Sequence, residues 1–204
     1  MPRPAGVRNH DFEAKRKALL DTLTEYALND DLRRPSLRQF AIAAGASEPT
    51  LRHYFSDRRG VVIAILEHIN ARTVPLWNII ATPAEKLETA VEEYYRVSQA
   101  GLWHAGFARA HAFGLIEGLA DEQVGRAYLK FLLNPALEAA SKKVEGSDDR
   151  VPSGRAAAFL MMSPMLVMTL HQHLLGGADM DPIDEDGLLA NLQKLLVTGL
   201  ASKE

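Results

Sequence analysis

The sequence predicts an all-α fold of about nine helices. Apolar residues recur at spacings of three and four along most of the 204-residue chain, which is the period of an amphipathic helix. The alternation of polar and apolar residues that is typical of half-buried strands is absent. The chain also has no cysteine, which excludes disulfide bonds, thiolate catalysis and cysteine-ligated metal sites.

Four helices are predicted in the first third of the chain. Ser36, Ser47 and Asp57 can each cap the start of a helix, and Pro49 is tolerated in a first turn. The predicted helices are Asp11–Leu28, Leu37–Ala44, a short one after Ser47, and one from Arg58 to about Arg72 that can continue to Ile80.

The remaining helices follow similar signals. Thr82-Pro83-Ala84-Glu85 has the cap residue, first-turn proline and returning carboxylate of a capping box, which predicts a helix that ends near Gly101. The later helices are predicted at Trp103–Gly118, Asp121–Leu133, Asn134–Val144, Gly154–Leu175 and Glu185–Leu200.

The segment from Leu37 to Phe55, LRQFAIAAGASEPTLRHYF, has the spacing of a helix-turn-helix. Ala41 lets two short helices cross closely, Gly45 permits a positive φ in the turn, and Leu51 packs back onto the first helix. Phe40, Ala44 and Phe55 complete a small core. The spacing alone also fits an ordinary helical corner.

Charge distinguishes these two interpretations. Residues 1–72 carry 12 Lys and Arg against 9 Asp and Glu, and six of these cations are arginines between Arg33 and Arg59. Arginine suits phosphate because its guanidinium donates several hydrogen bonds in a fixed plane. The basic segment therefore favours a DNA-binding unit, with a solvated charged face as the alternative.

The N-terminal third resembles the DNA-binding domain of TetR-family repressors. SLRQFAIAAGAS, EPTLRHYF and SDRRGVV match three consecutive elements of that family in order and spacing, over about Lys15 to Leu66. The resemblance implies a DNA-binding domain at residues 1–60, a fourth helix that bridges to about residue 72, and a ligand-binding and dimerisation domain at 73–204. It also implies a cytoplasmic, homodimeric repressor that binds a palindromic double-stranded operator. A small apolar or amphipathic effector would release the repressor from DNA by spreading the recognition helices.

The resemblance assigns DNA contacts residue by residue. Ser36 and Arg38 would touch phosphate, and Arg58 stands where the family usually has a phosphate-binding lysine. The full set of expected DNA contacts is Ser36, Arg38, Ser47, Thr50, Arg52, His53, Tyr54, Arg58 and Arg59. Four positions depart from the family pattern, namely Asp31, Pro49, Arg52 and Arg59, so the operator sequence is not predictable. Arg52 can read a base or anchor a phosphate.

The C-terminal helices suggest a dimer surface and a pocket. Leu188, Leu192, Leu195 and Leu196 recur at helical spacing in the last helix, which suits a dimer surface or a cover over their own core. Met161, Met165 and Met168 form one stripe, and His104, Phe107 and His111 are predicted to share a helix face. The candidate pocket residues are Trp103, His104, Phe107, His111, Phe113, Met161, Met165 and Met168, with ordinary core packing as the alternative.

Other functions find less support. The sequence has no HExxH, P-loop, nucleophile elbow or GxGxxG motif, so no catalytic residue, metal ligand or cofactor is predicted. His171 and His173 are two residues apart and point away from each other on a helix. No apolar run reaches the ~18 residues of a membrane span. The alternatives are a constitutive DNA-binding or architectural protein without an effector, and an all-helical enzyme.

Overall fold

The chain has an all-α fold. The computed structural model describes residues 5–29, 34–104, 106–147 and 153–201, and the side chains of residues 10–29, 34–100, 106–147 and 153–199. The described residues contain no strand. Their helices are α1 (Ala5–Ala27), α2 (Leu37–Ala43), α3 (Glu48–Phe55), α4 (Arg58–Ile80), α5 (Leu87–His104), α6 (Phe107–Ala120), α7 (Glu122–Tyr128), α8 (Asn134–Glu145), α9 (Gly154–Thr169), α10 (Gly177–Met180) and α11 (Glu185–Ala201).

The cap signals of the first third are confirmed. The Ser36 hydroxyl accepts from the Gln39 amide at 3.2 Å, and the Gln39 side chain accepts from the Ser36 amide at 2.8 Å, which completes a capping box. Ser47 caps α3, since its hydroxyl accepts from the Thr50 amide at 3.2 Å. The Asp57 carboxylate accepts from the Gly60 amide at 2.8 Å, and α4 continues through Pro75 to Ile80.

The predicted capping box at Thr82 is wrong. Helix α5 begins at Leu87, and the preceding loop is held by α8 instead. The Lys143 ammonium donates to the Thr82 carbonyl at 3.0 Å, and the Ala84 amide donates to the Ser147 hydroxyl at 3.3 Å. These long-range bonds hold the loop that precedes α5 in place.

The predicted break between the fifth and sixth helices is also misplaced. Helix α5 continues through Gly101 to His104, and α6 begins at Phe107 after Gly106, which has a φ of +68°. A left-handed glycine of this kind ends a helix. His104 and Phe107 therefore lie on different helices and do not share the face that the sequence predicts.

Two helical joins are wider than an α-helix. Leu129–Leu133 and Leu170–Leu174 form π turns that link α7 to α8 and extend α9. The first immediately precedes α8, where Pro135 lies in the first turn and has no N–H to donate. The predicted restart at Asn134-Pro135 is confirmed, and it takes the form of a π segment rather than a loop.

The chain divides into two compact units. One contains the described residues up to Arg72 together with Phe113–Phe131, and the other contains Thr73–Ala112 with the described residues from Leu132 onwards. The sequence places Phe113–Phe131 in the C-terminal domain instead. In the second unit α9 packs against α8, and α11 packs against α5 and α9 around a core of buried aliphatic, tyrosine and methionine side chains. No helix in the described part of the chain is long and apolar enough to cross a membrane.

Candidate DNA-binding surface and ligand pocket

The turn between α2 and α3 has the geometry that the sequence predicts for a helix-turn-helix. Gly45 has a φ of +59°, a conformation that side-chain-bearing residues rarely adopt. Phe40 and Leu51 are fully buried, and Phe55 is nearly so, which joins the two helices through a small apolar core. The other side of α3 is left facing solvent.

The exposed side of α3 carries a short polar stripe formed by Arg52 and His53. Both side chains are exposed and lie three and four residues after Pro49, so they share one exposed face of the helix with it. Arg38 on α2 is also exposed and makes no ion pair with any described residue. Arg52 lies 3.9 Å from the Glu48 carboxylate, a distance at which the attraction between two exposed groups is weak.

Other predicted contact residues also stabilise α3 itself. The Ser47 and Thr50 hydroxyls are 2.8 Å apart, and Ser47 accepts from the Thr50 amide at 3.2 Å. The rings of His53 and Tyr54 pack against Phe12 of α1 at centroid distances of 5.6 and 4.7 Å. Phe12 therefore positions two candidate DNA-contacting side chains, a role that the sequence analysis missed.

Arg58 is held by a buried carboxylate. Its Nη1 donates to Glu117 Oε2 at 3.0 Å, its Nη2 donates to Glu117 Oε1, and its Nε donates to the Pro35 carbonyl at 2.7 Å. Glu117 is fully buried, and Arg34 approaches the same carboxylate at 3.4 Å. We call this group of Arg34, Pro35, Arg58 and Glu117 the Glu117 clasp. In the sequence, the signal for the clasp is a single carboxylate, Glu117, in the second half of α6 (FARAHAFGLIEGLA), where the neighbouring side chains are apolar.

Arg59 is engaged in a similar but more exposed pair. Its Nε donates to Asp121 Oδ2 at 2.7 Å, and its Nη1 donates to Gln123 Oε1 at 3.2 Å. This bond from Arg59 is the main reason why the pKa of Asp121 is lowered. DNA contacts by Arg58 and Arg59 stay predictions, and both ion pairs weigh against them. Arg33 and Asp31 lie outside the described residues.

The second unit contains a small apolar pocket. Its volume is about 50 Å³, several times the ~10–15 Å³ that one water needs. The lining residues come from α4, α5, α6, α8 and α9, and they are Leu76, Trp77, Ile80, Tyr94, Ser98, Phe107, His111, Ala136, Met162, Met165 and Leu166. None of them carries a permanent charge.

The predicted pocket residues separate into three groups. Phe107, His111 and Met165 line the pocket. Met161 and Met168 are buried in the surrounding core without lining it, as the core-packing alternative predicts. Phe113 belongs to the other compact unit, and the side chains of Trp103 and His104 lie outside those that the structure describes.

The polar groups at the pocket are uncharged at neutral pH. Burial lowers the pKa of His111 to about 4, so its imidazole is neutral. Burial raises the pKa of Tyr94 to about 12, against a smaller opposing effect of its hydrogen bond with Ser98. The buried indole Nε1 of Trp77 has no hydrogen-bond partner among the described residues.

The predicted dimer leucines lie mostly in their own core. Leu196 is buried in the core of the second unit, and Leu188 and Leu192 pack against it. Leu195 is 70% exposed. Helix α9 adds further exposed apolar side chains, Phe159, Leu160 and Val167.

Comparisons with known proteins are informative only at the level of structure. No protein-family model matches the sequence, and no curated protein matches it. A protein from Mesorhizobium loti MAFF303099 assigned to the TetR family of transcriptional regulators has a similar structure, with a TM-score of 0.61 at 14% identity over 93% of this chain and 96% of that one. The two chains therefore share the same all-α fold. FadR, a fatty acid degradation regulator from Bacillus halodurans, is similar over the whole of both chains, with a TM-score of 0.54 at 16% identity.

Proposed function

We propose that this protein is a DNA-binding transcriptional regulator, a homodimeric repressor that a small apolar or amphipathic effector releases from a palindromic operator. The observation that carries the proposal is the polar stripe of α3 on a closed helix-turn-helix, with Arg38 and Arg52 exposed beside it. A short helix with exposed arginine and histidine side chains suits the major groove. The two similar structures, both of regulators, agree with this function.

DNA binding is tested with duplexes selected from a random-sequence pool. Selected duplexes should contain two inverted half-sites, separated by about one helical turn or a multiple of it, because a symmetric dimer presents two copies of α3. Arg52→Ala should change the preferred sequence if Arg52 reads a base, whereas Arg38→Ala should weaken binding to all sequences alike.

Arg59→Ala is the matched control for Arg38→Ala. Arg38→Ala should reduce the dependence of log affinity on log salt by about one per subunit, since one phosphate contact is lost. Arg59 is paired with Asp121, so its removal should leave that slope unchanged. Selected duplexes without symmetry, combined with an unchanged affinity of Arg38→Ala, would contradict the proposal.

The proposed dimer surface combines the exposed face of α9 with Leu195 of α11. Phe159, Leu160 and Val167 are 53%, 56% and 63% exposed, and a second copy of the chain would cover them. Val167→Glu combined with Leu195→Glu should give a folded monomer by light scattering and circular dichroism, with operator binding lost. Leu119→Glu changes a leucine that is 89% exposed in the other unit, and it should remain dimeric. A folded Val167→Glu/Leu195→Glu dimer would show that this surface is not the interface.

The effector part of the proposal rests on the pocket of the second unit. An effector can lower operator occupancy only if it binds the DNA-free conformation more tightly than the DNA-bound one. A library of small apolar compounds should therefore contain members that raise the melting temperature and release the selected duplex. Compounds that stabilise the protein without releasing DNA would show that the pocket is not regulatory.

A further inference from the structure

One donor at the pocket has no acceptor among the described residues. Trp77 lines the pocket, and its indole Nε1 is buried with no hydrogen-bond partner in the described part of the chain. A buried donor without an acceptor lowers stability, so such groups are uncommon in folded proteins. An acceptor supplied by a bound molecule would remove that cost.

The other polar groups at the pocket leave no place for a charged ligand. Tyr94 and Ser98 hydrogen-bond to each other, and His111 is neutral at physiological pH. The rest of the described lining is aliphatic, aromatic or methionine, so the described residues offer no cation to pair with a carboxylate and no anion to pair with an amine. An unpaired charge in such surroundings is strongly disfavoured because nothing replaces its hydration.

We propose that the effector pocket selects compact, uncharged, largely apolar molecules that carry one hydrogen-bond acceptor, such as a carbonyl oxygen, and that the indole N–H of Trp77 donates to it. The inference rests on the proposed regulatory function, since it names the chemical class of the effector. The pocket volume of about 50 Å³ limits the size of the molecule, while Met162 and Met165 give the walls some freedom to adjust.

Three probes of similar size test the acceptor, the shape and the charge of the ligand separately. Cyclopentanone has the acceptor, methylenecyclopentane has nearly the same shape without it, and cyclobutanecarboxylate adds a negative charge. Binding is followed by the indole N–H resonances in ¹H–¹⁵N spectra of the full-length protein. The chain has two tryptophans, so the spectrum of Trp77→Phe assigns both signals.

Cyclopentanone should move the Trp77 indole proton downfield, and its affinity relative to methylenecyclopentane should be about fivefold to tenfold higher in the wild type than in Trp77→Phe, the gain expected of one neutral hydrogen bond. Cyclobutanecarboxylate should not bind at the pocket. Trp77→Phe keeps an aromatic ring against Phe107, which meets the indole edge-on at a centroid distance of 4.9 Å, but it removes the donor. The variant should therefore shift the ratio of the two affinities towards the alkene, because the ketone oxygen then loses its hydration without gaining a donor.

Several outcomes would overturn the inference. A ratio of cyclopentanone affinity to methylenecyclopentane affinity that is the same in the wild type and in Trp77→Phe would show that the indole N–H selects nothing, and preferred binding of the carboxylate would show a cation that reaches the pocket. Either result is compatible with an effector pocket at this site but contradicts the proposed class of effector. If none of the three probes binds, the inference is wrong, and operator binding of the same sample then decides separately whether the DNA-binding function stands. Trp77→Leu serves as the second variant if Trp77→Phe does not fold.

Discussion

The Glu117 clasp and the pocket of the second unit differ in whether their buried polar groups have hydrogen-bond partners. In the clasp, a fully buried carboxylate is matched by two guanidiniums, and the same Arg58 also satisfies the Pro35 carbonyl. In the pocket, a buried indole N–H has no acceptor among the described residues. A satisfied network fixes one arrangement of the chain, whereas an unsatisfied donor lowers stability unless a ligand supplies its partner. The clasp thus serves structure, and the pocket suits recognition.

The largest expected effect is the loss of the clasp carboxylate. Glu117→Ala leaves Arg58, whose side chain is only 28% exposed, without its counter-charge. Removing one partner of a buried pair typically costs about 3–5 kcal/mol, and the partial exposure of Arg58 places the expected loss near the lower figure. Urea unfolding should show this loss in the free energy of unfolding. A Glu117→Ala protein as stable as the wild type would show that the clasp contributes nothing.

Acidification should act on the pocket in the second unit. Burial lowers the pKa of His111 to about 4 in the folded state, against an unfolded value of about 6.5. Between these two pH values the unfolded chain binds more protons than the folded one, so stability is full above pH ~6.5 and falls as the pH drops towards about 4. At ~1.4 kcal/mol per pKa unit this loss is about 3 kcal/mol. His111→Gln should remove this part of the pH dependence of urea unfolding, and an unchanged profile would contradict the burial of His111.

The comparison also shows which features the sequence can predict. The caps at Ser36 and Ser47 and the turn at Gly45 depend on residues within a few positions of each other, and all three are present in the structure. Glu117 lies 59 residues from Arg58, so no local pattern shows that the basic segment is partly neutralised. From the sequence alone, Arg58 and Arg59 are expected to contact DNA just as Arg38 is.

The pocket was only partly predictable for a related reason. Helical spacing shows that Met161, Met165 and Met168 share a face, but not where that face meets a void. Only Met165 does, because the walls come from helices that are distant in sequence. The break at Gly106 also places His104 and Phe107 on different helices. The helical spacing of the sequence continues across this break, so the spacing alone does not reveal it.

Two substitutions of methionine by tryptophan separate pocket from core. Met161 is fully buried, does not line the pocket, and its carbonyl accepts from the Tyr95 hydroxyl at 3.2 Å. Met161→Trp should overpack the core and lower the free energy of unfolding by about 1–3 kcal/mol. Met165→Trp should cost less, because the indole can enter the pocket, and it should abolish cyclopentanone binding. If the two variants lose equal stability, the pocket gives the new ring no room.

The smallest expected effect belongs to the exposed counterpart of the clasp. Arg59 and Asp121 form an ion pair through a single Nε–Oδ2 contact, and their side chains are 45% and 22% exposed. Water competes with this pair in a way that it does not for Glu117, so Arg59→Ala should lower the free energy of unfolding only slightly. Asp121 also caps α7 by accepting from the Gln123 amide at 3.0 Å, so Asp121→Ala should lower it more than Arg59→Ala does. Asp121→Asn keeps a capping oxygen and should match Arg59→Ala. Urea unfolding of the three variants checks this order, and an Arg59→Ala loss as large as that of Glu117→Ala would mean that burial does not distinguish the two pairs.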